Sequence, residues 1–169
     1  MLDKSSKIID ILNTVNSFDY GTIINETKYT EIDIIDWSLY RTLPVEVIEN
    51  EKIGVCWDFV NYQYFQLCKS DIYSENYLFF AQTSTQNIIT HTFTIAIIDN
   101  KRKWLESALW SKRGLHEVQD VIDVVKSLID IYNVDKYELY KYNPLGLDRY
   151  LSGEEFISKI ICNVPVYSK

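Results

Sequence analysis

Gly54-Val55-Cys56-Trp57-Asp58-Phe59-Val60 opens onto Asn61-Tyr62-Gln63-Tyr64-Phe65-Gln66-Leu67. From Cys56 onward this run holds neither Gly nor Pro, and it is long enough for about three helical turns. It predicts a helix that continues to Cys68, before Lys69-Ser70-Asp71 ends it. Cys56 then falls in the first turn. Unpaired backbone N–H groups and the positive end of the helix dipole favour an anion there. A thiolate is such an anion, and it is the nucleophilic form of cysteine. Gly54 is expected to turn the chain sharply and to leave space beside the sulfur. A free cysteine at such a junction also makes a good small core residue. Its chemistry therefore depends on what the rest of the chain brings to it.

The chain has 169 residues, of which 47% are hydrophobic, so it suits one domain with a real core. We divide residues 1–169 into an N-terminal helical and irregular segment (1–50), a core (51–110) and a helix–strand–helix completion (111–169). The net charge of −7 disfavours nucleic acid and anionic membrane as main partners. Cys56, Cys68 and Cys162 are odd in number and show no CxxC spacing. They form neither a disulfide framework nor a zinc site, and no metal or other cofactor is expected. Asp10 and Asn13 interrupt the apolar positions near the start, and no run approaches the ~20 apolar residues of a membrane span. The expectation is a cytoplasmic protein with no membrane partner.

Ile8, Ile9, Leu12 and Val15 recur at helical spacing within residues 3–16, with Asp3 or Ser5 as cap. Residues 22–36 suit irregular structure or a short strand. Thr42 is expected to cap a short helix with Pro44 in its first turn. Strands are expected at Tyr77–Gln82, Asn87–Ile98, Lys103–Ala108 and Lys136–Tyr142, the first three as an antiparallel meander. Amphipathic helices are expected from Glu117 to Tyr132 and from Ser152 onward. The fold class is α+β: a Cys-bearing helix packed on an antiparallel sheet.

His91 lies within the second of these strands. Asp99-Asn100 reads as a two-residue hairpin loop, which pairs residues whose numbers sum to 199. His91 and Glu106 are then diagonal neighbours on one face, within reach of a long side chain. A carboxylate that accepts from one imidazole nitrogen leaves the other free to take a thiol proton. Cys56, His91 and Glu106 thus have the residue types of a nucleophile–base–acid triad. Trp37, Tyr40, Trp57 and Gln63 are candidates for a second oxyanion donor or a groove wall. Asp58 is expected to serve the helix N-terminus. His116 is expected in a loop or cap, and Cys68 and Cys162 among helix-end apolar residues.

Gly54-Val55-Cys56-Trp57-Asp58-Phe59 resembles the GxCxDF/Y segment at the nucleophile of transglutaminase-like proteins. Thr90-His91-Thr92-Phe93 and Lys103-Trp104-Leu105-Glu106 resemble that superfamily's His strand and its strand bearing Trp and the acid. The resemblance covers about residues 50–110 and is nearest to small bacterial members. It implies a papain-like fold with Cys56 as nucleophile, His91 as base and Glu106 as orienting acid, where the usual acid is Asp. It also implies a cysteine peptidase or amidase acting on a peptide, protein or small amide through a thioester. Transfer to an amine is the alternative outcome. Arylamine N-acetyltransferases share the superfamily, but this chain is much shorter and shows no coenzyme A feature. Two other readings are an inactive domain of this type that binds a protein partner, and a partner-activated enzyme in which residues 22–50 form a lid.

Overall fold

Alternation along residues 88–98 and the Asp99-Asn100 turn build the centre of the molecule. The computed structural model describes residues 3–169. In chain order it runs α1 (Lys4–Asn16), β1 (Asp19–Tyr20), a hairpin of β2 (Thr22–Ile24) and β3 (Thr27–Tyr29), and two single turns of 3-10 helix. Next come α2 (Val45–Glu51), β4 (Ile53–Gly54), α3 (Cys56–Lys69), β5 (Tyr73–Thr83), β6 (Ile88–Ile98) and β7 (Lys101–Glu106). A 3-10 turn leads into β8 (Gly114–Val118), α4 (Val121–Tyr132), β9 (Val134–Tyr142), α5 (Gly153–Ile161) and β10 (Tyr167–Ser168).

Six strands form one antiparallel sheet in the order β10-β9-β5-β6-β7-β8. Its two faces follow from period-two alternation. Tyr77, Phe79, Phe93, Ile95, Trp104 and Leu139 pack against Val121, Val124, Val125 and Leu128 of α4. On the other face, Leu78 and Tyr140 meet Val60 of α3 and Phe156 of α5, while Ala96, Ile98 and Leu105 meet Leu67 of α3 and Ile8 and Leu12 of α1. Behind α3, Phe59 and Tyr62 pack on Phe18, Val45 and Ile48. The architecture is α+β, with the Cys56 helix held on an antiparallel sheet. Among the described residues no helix is long and apolar enough to cross a membrane.

Several expected boundaries move, each for a physical reason. Asp3 rather than Ser5 caps α1, its side chain accepting from the Ser6 N–H at 2.8 Å. Thr42 does not cap α2; Pro44 takes that position. Thr42 instead accepts the Leu151 N–H on its side chain at 3.0 Å and donates its own N–H to Leu151 O at 2.8 Å, pinning the distant C-terminal segment. Glu117 and Val118 belong to β8, and α4 starts only after Asp120, which caps it. Val118 faces the same core as α4, so apolar spacing alone does not separate the two elements. β5 begins at Tyr73, because Glu75 is paired with Lys141 at 2.6 Å and Asn76 accepts from Thr94 at 3.0 Å, which suits polar residues to a strand.

The hairpin loop is the two-residue turn expected. Ile98 pairs Lys101, and the register continues to Thr94 opposite Leu105. Asp99 and Asn100 both adopt positive φ, 50° and 60°, as a type I′ turn requires. A β-branched residue is strained there. Asn100→Val is expected to lower stability by about 1–2 kcal/mol, and Asn100→Gly to match or slightly exceed the native protein, both read by urea unfolding.

Candidate active site

The first turn of α3 is shaped by a carboxylate. Val55 holds the N-cap position but has no side-chain acceptor. Asp58, three residues on, reaches back and accepts the Val55 N–H at 3.0 Å. Its carboxylate also accepts the Leu43 N–H at 2.8 Å and the Tyr40 hydroxyl at 3.1 Å. Burial outweighs these donors and pushes the Asp58 pKa up to about 7. Gly54 is required by packing rather than by backbone freedom. A Cβ there would lie 2.8 Å from Asp58 Cβ and 3.0 Å from Phe59 Cε1. The expected space beside the sulfur is therefore not what Gly54 supplies.

Cys56 opens α3 and is buried at 7% exposure. His91 on β6 and Glu106 at the end of β7 are buried too, at 3% and 1%. His91 Nε2 donates to Glu106 Oε2 at 2.9 Å. Glu106 Oε1 accepts the N–H groups of Ala108 and Leu109 at 2.8 and 2.9 Å. Both carboxylate oxygens are thus held, and Nδ1 is the imidazole nitrogen that the carboxylate leaves free. Burial acts to lower the His91 pKa, but the Glu106 charge and the nearness of Cys56 outweigh it and raise it to about 10. For Glu106, burial acts upward and the His91 charge prevails, so its pKa lies below the usual range.

By alternation His91 belongs to the α4 face of the sheet, with Phe93 and Ile95, whereas α3 packs on the other face. The two meet at the edge of β6. The β6–β7 ladder reaches only Thr94 and Leu105, so the stretch of β6 holding His91 lies beyond its last pair. There the thiol side and the imidazole side of the sheet adjoin, with Cys56 near enough to bear on the His91 pKa.

A groove of about 870 Å³ lies beside Cys56. Trp37, Tyr40 and Trp57 line it, with Tyr20, Arg41 and Thr90. Trp57 stacks on Phe156 with centroids 4.6 Å apart, and Tyr40 meets Trp57 edge-on at 5.5 Å. The Tyr40 hydroxyl is engaged by Asp58. Gln63 lies outside this groove, its Nε2 donating to Ser107 Oγ at 2.9 Å. His116 is a strand residue of β8 rather than a loop or cap. It packs on Trp104 at 4.9 Å, and its Nε2 donates to Lys112 O at 2.6 Å, away from the thiol. Cys68 and Cys162 are exposed rather than packed among apolar residues, because each falls on the outer side of its helix end. Among the described residues no cluster of His, Cys, Asp and Glu could hold a metal ion.

Tyr20, like Arg41 and Thr90, is a groove residue that sequence reasoning missed. It enters because β1 and β4 pair in parallel, Tyr20 opposite Gly54. Two residues per strand leave no periodicity to detect. No protein-family model matches the chain, and no curated protein matches it.

The His91–Glu106 pair sets a pH window for stability. His91 is raised from 6.5 to about 10, so its contribution is complete below pH 6.5 and is lost as pH rises through about 10. Glu106 is lowered from 4.5, so its contribution is present above pH 4.5 and is lost as pH falls through its depressed pKa. Glu106→Gln is expected to cost about 3–5 kcal/mol within that window, since it leaves His91 buried without its counter-charge. Urea unfolding across pH should show the gap between variant and native protein closing above about pH 10. A gap independent of pH would contradict the ion pair.

Proposed function

We propose that this chain is a cysteine-dependent acyl-transfer enzyme, a transglutaminase-like protein with a papain-like core, which hydrolyses an amide or peptide bond through a thioester. The observation that carries this reading is a buried thiol at a helix start, beside a buried imidazole that a carboxylate holds at 2.9 Å. A nucleophile, a base and an orienting group in that relation have a common chemical use. The order Cys56, His91, Glu106, on a helix and two adjacent strands of an antiparallel sheet, supports the papain-like assignment.

The steps follow from the groups present. His91 is protonated at neutral pH and stands as an imidazolium beside Cys56. The thiolate sulfur bonds to the substrate carbonyl carbon, and the C=O π pair moves onto oxygen. The Cys56 backbone N–H at the open helix end donates to that oxyanion. As the C–N bond breaks, Nδ1 of His91 gives its proton to the departing amine. Neutral His91 then takes a proton from water as the water oxygen attacks the thioester. Collapse releases the acid and restores thiolate and imidazolium. Glu106 stays ionised and holds the ring through both halves. The groove beside Cys56 is open to solvent, with Trp37 45% exposed on its rim, which favours water as acceptor.

The test uses a Cys68→Ser/Cys162→Ser background, since both of those thiols are exposed. Iodoacetamide near neutral pH is expected to alkylate buried Cys56 faster than either exposed thiol reacts in the parent. The rate should fall by roughly 10²-fold or more in His91→Ala. Equal rates at all three thiols would sink the enzyme reading and leave a binding module in its place. With an active amide substrate, turnover should fall as pH rises through about 10, where His91 loses its proton. In Glu106→Gln that alkaline limb should move down toward the ordinary imidazole range.

A further inference from the structure

The Cys56 N–H is one donor, and an oxyanion site of this kind is stronger with two. Among the groove side chains the position of Tyr20 is the most tightly determined. β1 sets it opposite Gly54, and the following Gly21 N–H donates to Gly54 O at 3.0 Å. Gly21 cannot be replaced, because a Cβ there would lie 2.1 Å from Tyr29 O. The backbone on both sides of Tyr20 is thereby fixed. Its ring packs edge-on against Phe59 with centroids 6.0 Å apart and forms the groove wall beside Val55 and Cys56. That wall borders Cys56, whose backbone N–H stands at the open start of α3. That N–H is the group that faces the oxygen of a carbonyl under attack by the Cys56 sulfur. Of the other candidates, Trp37 stands exposed on the rim, and the remaining three are committed or closed off. Tyr40 donates to Asp58, and Gln63 Nε2 to Ser107. The Trp57 indole nitrogen is buried without contact to solvent.

We propose that the Tyr20 hydroxyl is the second oxyanion donor: when a substrate carbonyl enters the groove, it donates its O–H to the oxygen that the Cys56 N–H also faces. The inference rests on Cys56 being the nucleophile. Burial raises the phenol pKa well above its ordinary range, and charge on Cys56 adds to the effect, so the hydroxyl keeps its proton at neutral pH. Tyr20 donates a hydrogen bond and transfers no proton.

Two probes of the same sulfur separate this role from the role of His91. With p-nitrophenyl acetate, the thiolate bonds to the carbonyl carbon and the π pair moves to oxygen. The oxyanion then collapses, breaking the C–O bond to release p-nitrophenolate and leave an acetyl thioester. With iodoacetamide, sulfur displaces iodide at a CH₂ carbon and no oxyanion forms. In the full chain with Cys68→Ser and Cys162→Ser, Tyr20→Phe is expected to slow acetylation of Cys56 by about 10²-fold and to leave alkylation unchanged. The unchanged alkylation also reports an intact fold. Tyr20→Leu, which likewise lacks the hydroxyl, should give the same ratio of rates. Unchanged acetylation in both variants overturns the proposal while His91-dependent alkylation leaves the nucleophile standing. Faster acetylation overturns it too, because the hydroxyl would then obstruct the incoming carbonyl. Alkylation that ignores His91 overturns both readings together.

Discussion

A buried carboxylate held by donors, and in no ion pair among the described residues, fixes the start of α3. Asp58 is fully buried and accepts from Val55, Leu43 and Tyr40. Taking a charge out of water is costly unless its hydrogen bonds are rebuilt, and here they come from two pieces of chain. The Val55 N–H is an orphan of the helix end, while the Tyr40 hydroxyl and the Leu43 N–H both belong to the segment before α2. One side chain thus joins two segments around the residue that follows Val55. Gly54 allows this by letting Asp58 and Phe59 close over it.

The second constraint is the point where β7 leaves β6. As long as the two strands pair, the sheet separates its faces, with α4 on one side and α1, α3 and α5 on the other. Past Leu105 that separation ends. Glu106 turns its carboxylate to His91 and to the amides of Ala108 and Leu109, so the departing loop closes round the acid. The imidazole is held from the α4 side and the thiol from the α3 side. Neither layer alone carries both.

The parts of this arrangement that rest on local patterns were legible in the sequence. The Gly-free run after Cys56 marked α3, and Asp99-Asn100 fixed the register that brings Glu106 to His91. Asp58 read correctly as a helix-terminus residue, but its bonds to Leu43 and Tyr40 span 15 and 18 positions and leave no pattern. β1, β4 and β10 are two residues each and exist only because a partner strand is in place. Tyr20 was hidden for that reason. β8 was hidden for another: its Val118 continues the apolar spacing of α4, so period alone merges strand and helix.

Placing His91 and Glu106 on one hairpin has a consequence for assembly. His91 and Glu106 are 15 positions apart, joined by a two-residue turn. Closing so short a loop costs little chain entropy, and hairpins form in about 1–10 μs. The imidazole–carboxylate half of the site is therefore a local structure, able to form before the sheet is complete. The thiol arrives differently, on a helix whose contacts come from α1, α2 and β6 together. The imidazole–carboxylate half thus depends on local contacts, while the position of Cys56 depends on contacts distant in sequence.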